Sequence, residues 1–178
     1  MNGQRRKSPA RTIALVGIMA ATVECGKLAL SFLPNVEIVT VLLALYGYVF
    51  GLLGVMAALV FVSIEPLIYG FGTWVISYYI YWPAVALVFM LLAKMKIRNR
   101  WVIASFGLLL TACFGVLSSL VDIGLFSGTY DNFWYRFGIY YARGIAFYAT
   151  QIICNAVLFP LLFRYLSGKL EKIKNQFL

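Results

Sequence analysis

Polar positions are so sparse along this chain that its apolar runs define it. Six stretches, about 12–31, 36–51, 53–69, 75–93, 101–125 and 138–166, read as helices for a bilayer, where a crossing takes about 20 mostly apolar residues. The boundary between the second and third is the faintest. Tyr46 to Val62 is nearly continuous, and only Gly47, Gly51 and Gly54 mark a turn. The first boundary is sharper, because Phe32-Leu33-Pro34-Asn35-Val36-Glu37 interrupts two apolar runs. Pro34 lacks an N–H and disfavours helix at Leu33, Asn35 suits a cap, and Glu37 suits the positive end of the next helix. This stretch is either a plain turn between membrane helices or a polar loop that brings a carboxylate and an amide to the mouth of a site.

Composition strengthens the membrane reading. The 178 residues are 63% hydrophobic and 12% charged, against about 25% charged in soluble domains. The expectation is an all-α membrane protein of six transmembrane helices, one domain over 1–178 with basic tails at 1–11 and 167–178. No internal repeat is present. Arg5, Arg6, Lys7 and Arg11 precede an apolar run without a small-residue cleavage site, so a retained first helix is expected rather than a signal peptide. The net charge of +9 does not point to nucleic acid, because the cations sit at the ends of apolar runs and not on one polar face.

Charge also orients the chain. Cytoplasmic loops are enriched in Lys and Arg. With six helices, Arg5, Arg6, Lys7, Arg11, Lys94, Lys96, Arg98, Arg100, Arg164, Lys169, Lys172 and Lys174 fall on one face, and both termini are cytoplasmic. Of the acids, Glu24, Glu37, Glu65, Asp122 and Asp131 fall in the outer half, and only Glu171 falls inside. The outer segments are also aromatic, with Trp74, Tyr78 and Trp82 in one and Tyr130 and Trp134 in the other. An interfacial belt puts Trp and Tyr at both faces, whereas the inner side offers Trp101, Tyr165 and little else. The alternatives are a lopsided belt or a ligand site that faces outward.

Ionisable residues in membrane helices are costly and are functional candidates. Glu24 and Lys27 share a helix face and either neutralise each other or serve a site. Glu65, before Pro66, caps the site or lies at the water boundary. Asp122 is placed to pair with Arg136 or Arg143. Arg143, Phe147, Gln151 and Asn155 share one face of the last helix, with Tyr148 beside it. That stripe either glues helices together or lines a cavity. On the first helix Ala14, Gly17 and Ala21 form a small-residue face, for packing within the chain or for docking on another subunit. Cys25, Cys113 and Cys154 lie in apolar runs without ligand spacing and are expected to be buried small residues. Without histidine, and without a phosphate-binding loop at Gly26-Lys27 or Gly168-Lys169, no catalytic residue, metal site or cofactor is expected.

The small-residue first helix, the basic inner ends, the aromatic outer loops, Leu33-Pro34-Asn35-Val36-Glu37-Ile38-Val39-Thr40, Glu65 with Gly70-Phe71-Gly72-Thr73-Trp74, and Tyr81-Trp82 together resemble a substrate-binding S component of an energy-coupling factor (ECF) vitamin transporter. The likeness is to a subgroup of Firmicutes-type S components and covers essentially the whole chain. It implies a multi-pass protein of a Gram-positive plasma membrane that binds a vitamin from outside. The loop containing Asn35 and Glu37 closes over the ligand, and the protein docks through Ala14, Gly17 and Ala21 on a membrane scaffold subunit. Two cytoplasmic ATPases use ATP to topple it and release the ligand inside. The resemblance and the aromatic abundance put cobalamin first among the vitamins, with pantothenate, pyridoxine, hydroxymethylpyrimidine and folate as alternatives. The expected substrate-binding set is Asn35, Glu37, Glu65, Trp74, Tyr78, Trp82, Tyr130, Trp134, Arg143, Tyr148, Gln151 and Asn155. The competing classes are a small membrane enzyme using Glu65, Asp122 or Glu24 as acid or base, and an assembly subunit with no ligand.

Overall fold

The structure, a computed structural model, describes residues 9–126 and 132–177. Among these residues it is built from helices without strands: α1 Pro9–Ala29, α2 Val39–Phe50, α3 Leu52–Tyr69, α4 Trp74–Lys94, α5 Arg100–Phe126, α6 Phe133–Leu158 and α7 Arg164–Phe177. A π-helical turn, Phe159–Phe163, makes α6 and α7 one continuous helix. Pro160 within it has no N–H to give to the regular ladder, and a widened turn accommodates that loss. Five segments are long and apolar enough to cross a membrane: α1, α3, α4, α5 and the α6–α7 helix. The chain is thus an all-helical protein with the make-up of a multi-pass membrane protein.

The second apolar run has a different role from the others. α2 has 12 residues, about 18 Å at 1.5 Å per residue, which is short against a hydrocarbon core of about 30 Å. Ten of its residues are buried. It is the central helix, held between α1, α3 and α4, and its last turn is met by two more elements. The Tyr48 hydroxyl donates to Ile97 O at 2.8 Å, and Lys174 Nζ of α7 donates to Val49 O at 2.7 Å. An all-apolar helix with no polar face belongs where protein surrounds it.

Two glycines allow that enclosure. A Cβ on Gly47 would lie 2.0 Å from Ala86 O of α4, and one on Gly54 would lie 2.2 Å from the Tyr46 carbonyl carbon of α2. Between them Gly51 turns the chain from α2 into α3 at φ +63°, a backbone state that costs glycine little. The glycines that only marked a turn in the sequence are therefore contact points of backbone on backbone.

α5 and α6 form an antiparallel pair, with Ser118 and Ser119 opposite Tyr148 and Thr111 opposite Asn155. One end of the bundle gathers the α1–α2 loop, the α3–α4 loop and the start of α6. The other gathers Gly51, the Lys94–Arg100 connection and α7. The helix continues through the segment expected to be a basic tail: Leu166 and Leu170 pack inward, while Lys169 and Lys172 face out. α6 likewise begins at Phe133 rather than at 138.

The outward faces are apolar. α1 buries Leu15, Val16, Met19, Ala20, Val23 and Glu24 and turns Ala14, Gly17 and Ala21 away, with nothing within 4 Å of a Cβ built at Gly17. The small-residue face is therefore not used for packing among the described residues. The cysteines depart from expectation. Cys25 and Cys113 are exposed and Cys154 is half-buried. In a bundle whose outside is as apolar as its inside, apolar character carries no inward bias.

Candidate functional site

The α1–α2 loop is where local sequence and tertiary position meet. α1 ends at Ala29, and a run of turns carries the chain to Val39. Asn35 does not cap α2, as its type suggested. It occupies the left-handed region at φ +64°, a conformation asparagine tolerates. Glu37 takes over the capping role. Its carboxylate accepts the Thr40 N–H at 2.9 Å and the Thr40 hydroxyl at 2.6 Å, satisfying donors at the positive end of the helix. The same carboxylate accepts Asn155 Nδ2 of α6 at 2.6 Å. That amide also donates to Thr111 Oγ1 of α5 at 3.2 Å, and Cys154 Sγ donates to Glu37 O at 3.3 Å. Glu37 and Asn155 thus tie the loop to the opposite side of the bundle.

Beneath the loop lies a half-enclosed cavity of about 280 Å³. Leu30 to Glu37 supply its roof, Phe61 and Tyr69 of α3 and Tyr78 and Trp82 of α4 one wall, and Phe147 and Gln151 of α6 the other. Trp82 stands edge-on to Phe61 and Tyr78, with ring centres 6.2 and 5.6 Å apart, and stacks on Phe114 at 6.2 Å. Its Nε1 is buried without a hydrogen-bond partner among the described residues. Apolar walls with a few convergent polar groups are the usual make-up of a small-molecule pocket.

The charged corner of the cavity is Lys27. Its ammonium pairs with Glu65 of α3 and lies 4.1 Å above the centre of the Tyr69 ring. Glu65 is 1% exposed. It is therefore neither at the water boundary nor on the cavity wall; it sits behind Lys27 and holds it. The pairing within α1 that the Glu24 and Lys27 spacing suggested is replaced by this contact between helices. Glu24 is itself buried, and neither of its carboxylate oxygens has a hydrogen-bond partner among the described residues. A partner on α3 competes well because α1 and α3 lie side by side, and their adjacency is not written in either segment.

The remaining candidates fall in three places. Trp74 stands one ring back from the cavity, edge-on to Tyr78 at 5.0 Å. Arg143 and Tyr148 line a second cavity of about 410 Å³ between α5 and α6, together with Asp122, Tyr140 and Phe147. Phe147 borders both cavities, so Arg143, Phe147 and Gln151 of the stripe run from one into the other, while Asn155 is buried and lines neither. Asp122 accepts a hydrogen bond from the Tyr140 hydroxyl at 2.7 Å, where an arginine partner was expected. Trp134 is 75% exposed and turned away from both cavities. Tyr130 lies outside the described residues, as does Asp131. Sequence reasoning missed Lys27, Phe61 and Tyr69 as cavity residues. The only local signal was a lysine in the outer half of an apolar helix.

The arrangement suits binding. It offers flat apolar walls, the Lys27 ammonium and the Gln151 amide. No group of three or more metal-ligating side chains converges among the described residues. No protein-family model matches this chain, and no curated protein or solved structure matches it either.

Proposed function

We propose that the chain is the substrate-binding membrane subunit of an ECF-type importer, taking up a small vitamin or vitamin precursor. The observation that carries this reading is the aromatic cavity roofed by the α1–α2 loop, at the pole of the bundle away from the basic segments. In this reading all six helices cross the membrane, α2 as the enclosed one, with both termini cytoplasmic by the bias of Lys and Arg. The outward Ala14, Gly17 and Ala21 dock on the scaffold subunit, whose two ATPase partners supply the energy.

The cavity narrows the choice of ligand. A space of about 280 Å³ is at the small end for ligand pockets. It suits a single ring with hydroxyl or carbonyl acceptors for Lys27 and Gln151, such as pyridoxine or hydroxymethylpyrimidine. The cobalamin macrocycle, first on resemblance, exceeds the space beneath the loop as it stands here.

Calorimetric titration of the purified chain with pyridoxine, hydroxymethylpyrimidine, pantothenate, folate and cobalamin tests this. One-to-one saturable binding of a single-ring compound is expected. Saturable cobalamin binding would keep the class and overturn the size argument. No binding across the panel, in protein shown to be folded, would overturn the class. Phe147→Ala is expected to weaken binding at least about fivefold, since an aromatic contact contributes about 1 kcal/mol beyond area burial. Unchanged affinity in that variant would exclude Phe147 from the contact surface.

Docking has its own test. Gly17→Leu adds a side chain where nothing lies within 4 Å, so fold and ligand affinity should be unchanged. Uptake by cells expressing the variant with its partner subunits should fall at least about tenfold, because close helix approach needs small residues. Normal uptake would remove the docking assignment.

A further inference from the structure

The end of the bundle opposite the aromatic cavity carries a further concavity, independent of the ligand reading above. Its volume is about 240 Å³. Arg98 reaches it from the α4–α5 connection and Arg100 from the start of α5, Arg164 and Ser167 come from the start of α7, and the buried rings of Phe159 and Phe163 in the π turn close its floor. We propose that this pocket binds the phosphate headgroup of an anionic phospholipid.

Basic residues at one face are ordinary in membrane proteins, so positive charge alone decides nothing here. Convergence does. Three guanidiniums from two separate segments of the chain surround one concavity. Among the described residues none of them has a carboxylate within ion-pair distance, and Glu171 is the one acid on the rim. Arg100 lies 4.8 Å from the Trp101 ring centre, a contact that leaves its N–H groups free to donate. The Tyr48 hydroxyl on the rim is committed to Ile97 O. A planar guanidinium matches phosphate oxygens two at a time, and several such donors in one pocket favour a phosphate over a diffuse counter-ion cloud.

The exposed apolar surface around the pocket argues for a lipid as the source of that phosphate. A soluble phosphate gains nothing from exposed apolar side chains, whereas a phospholipid brings a glycerol backbone and acyl chains. Trp101, Leu161 and Tyr165 nearby are 59%, 67% and 63% exposed. Trp and Tyr favour the depth where headgroups meet chains, and basic pockets between membrane helices are suited to lipid headgroups.

Native mass spectrometry of the full chain in detergent, with added dioleoylphosphatidylglycerol or dioleoylphosphatidylcholine at equal concentration, tests the proposal. Retention of the anionic lipid about tenfold above the zwitterionic one is expected. Arg98→Gln with Arg164→Gln should bring it down to the zwitterionic level. The single change Arg100→Gln should give a partial loss of about threefold, and serves if the double variant does not fold. Lys169→Gln with Lys172→Gln removes the same charge from the outer side of α7 and should retain the lipid. Equal retention of both lipids, or equal loss in the two double variants, would mean general charge attraction and overturn the proposal. Displacement of the lipid by millimolar glycerol phosphate or inorganic phosphate would reassign the pocket to a soluble phosphate and overturn the lipid assignment.

Discussion

Lys27→Met is expected to destabilise the purified chain by about 3 kcal/mol, the low end of the scale for removing one partner of a buried ion pair, because the Lys27 side chain keeps 26% of its surface exposed. Glu65 is 1% exposed, Lys27 is its ion-pair partner, and its Oε1 has no hydrogen bond among the described residues. Glu24 adds a second buried carboxylate, and the two acids interact. Methionine keeps the length and apolar stem of lysine, so the packing loss is small. What disappears is the one cation facing two carboxylates in apolar surroundings, together with its position 4.1 Å above Tyr69, where a cation–π contact contributes about 1 kcal/mol. Adding Glu65→Gln to the Lys27→Met chain should recover most of the loss, because the buried charge goes with it. Thermal unfolding in detergent, followed by tryptophan fluorescence, reads both variants. A Lys27→Met chain that melts with the native one would show that the pair contributes nothing. A double variant no better than the single would show that packing, not charge, was lost.

Gly47→Ala and Gly54→Ala are the second pair of large effects, although alanine is ordinarily the better helix residue by about 1 kcal/mol. Each added methyl would meet backbone atoms of the adjoining helix, at 2.0 Å for Gly47 and 2.2 Å for Gly54. Backbone cannot swing aside as a flexible side chain can, so the helices must separate. α2 is the buried axis of the bundle, and separation there opens the core on several sides at once. A loss of about 3 kcal/mol or more is expected, at the upper end for overpacking. Gly138→Ala is the control: nothing lies within 4 Å of its Cβ position, and its melting should match the native chain or exceed it slightly. If all three melted alike, α2 would not be held as closely as described.

The contrast between these glycines shows where the sequence stops being informative. Gly17, Gly47 and Gly54 all stand in apolar helical runs and look alike there. One faces outward with no neighbour, and two sit against backbone. The difference depends on which helix lies alongside, which no local pattern records.

The sequence by itself determined the all-helical class, the segments that become helices, the turn at Pro34 and Asn35, and the collection of basic residues into a few short segments. These are local properties, set by run length, by proline and asparagine backbone preferences and by the placement of charge at run ends. It also placed Asn35, Tyr78, Trp82 and Gln151 among the candidates that the cavity brings together, because outer-half aromatics and a polar stripe on an apolar helix stand out against so greasy a background. Only the tertiary structure decided that α2 is enclosed rather than facing outward, that Lys27 pairs with Glu65 rather than Glu24, that Glu37 is bound to Asn155, and that Arg143 and Tyr148 belong to a second cavity while Trp134 belongs to neither. Each of those outcomes joins residues far apart in the chain. In a sequence apolar on nearly every face, the usual contrast between inside and outside is too weak to foretell which helices meet.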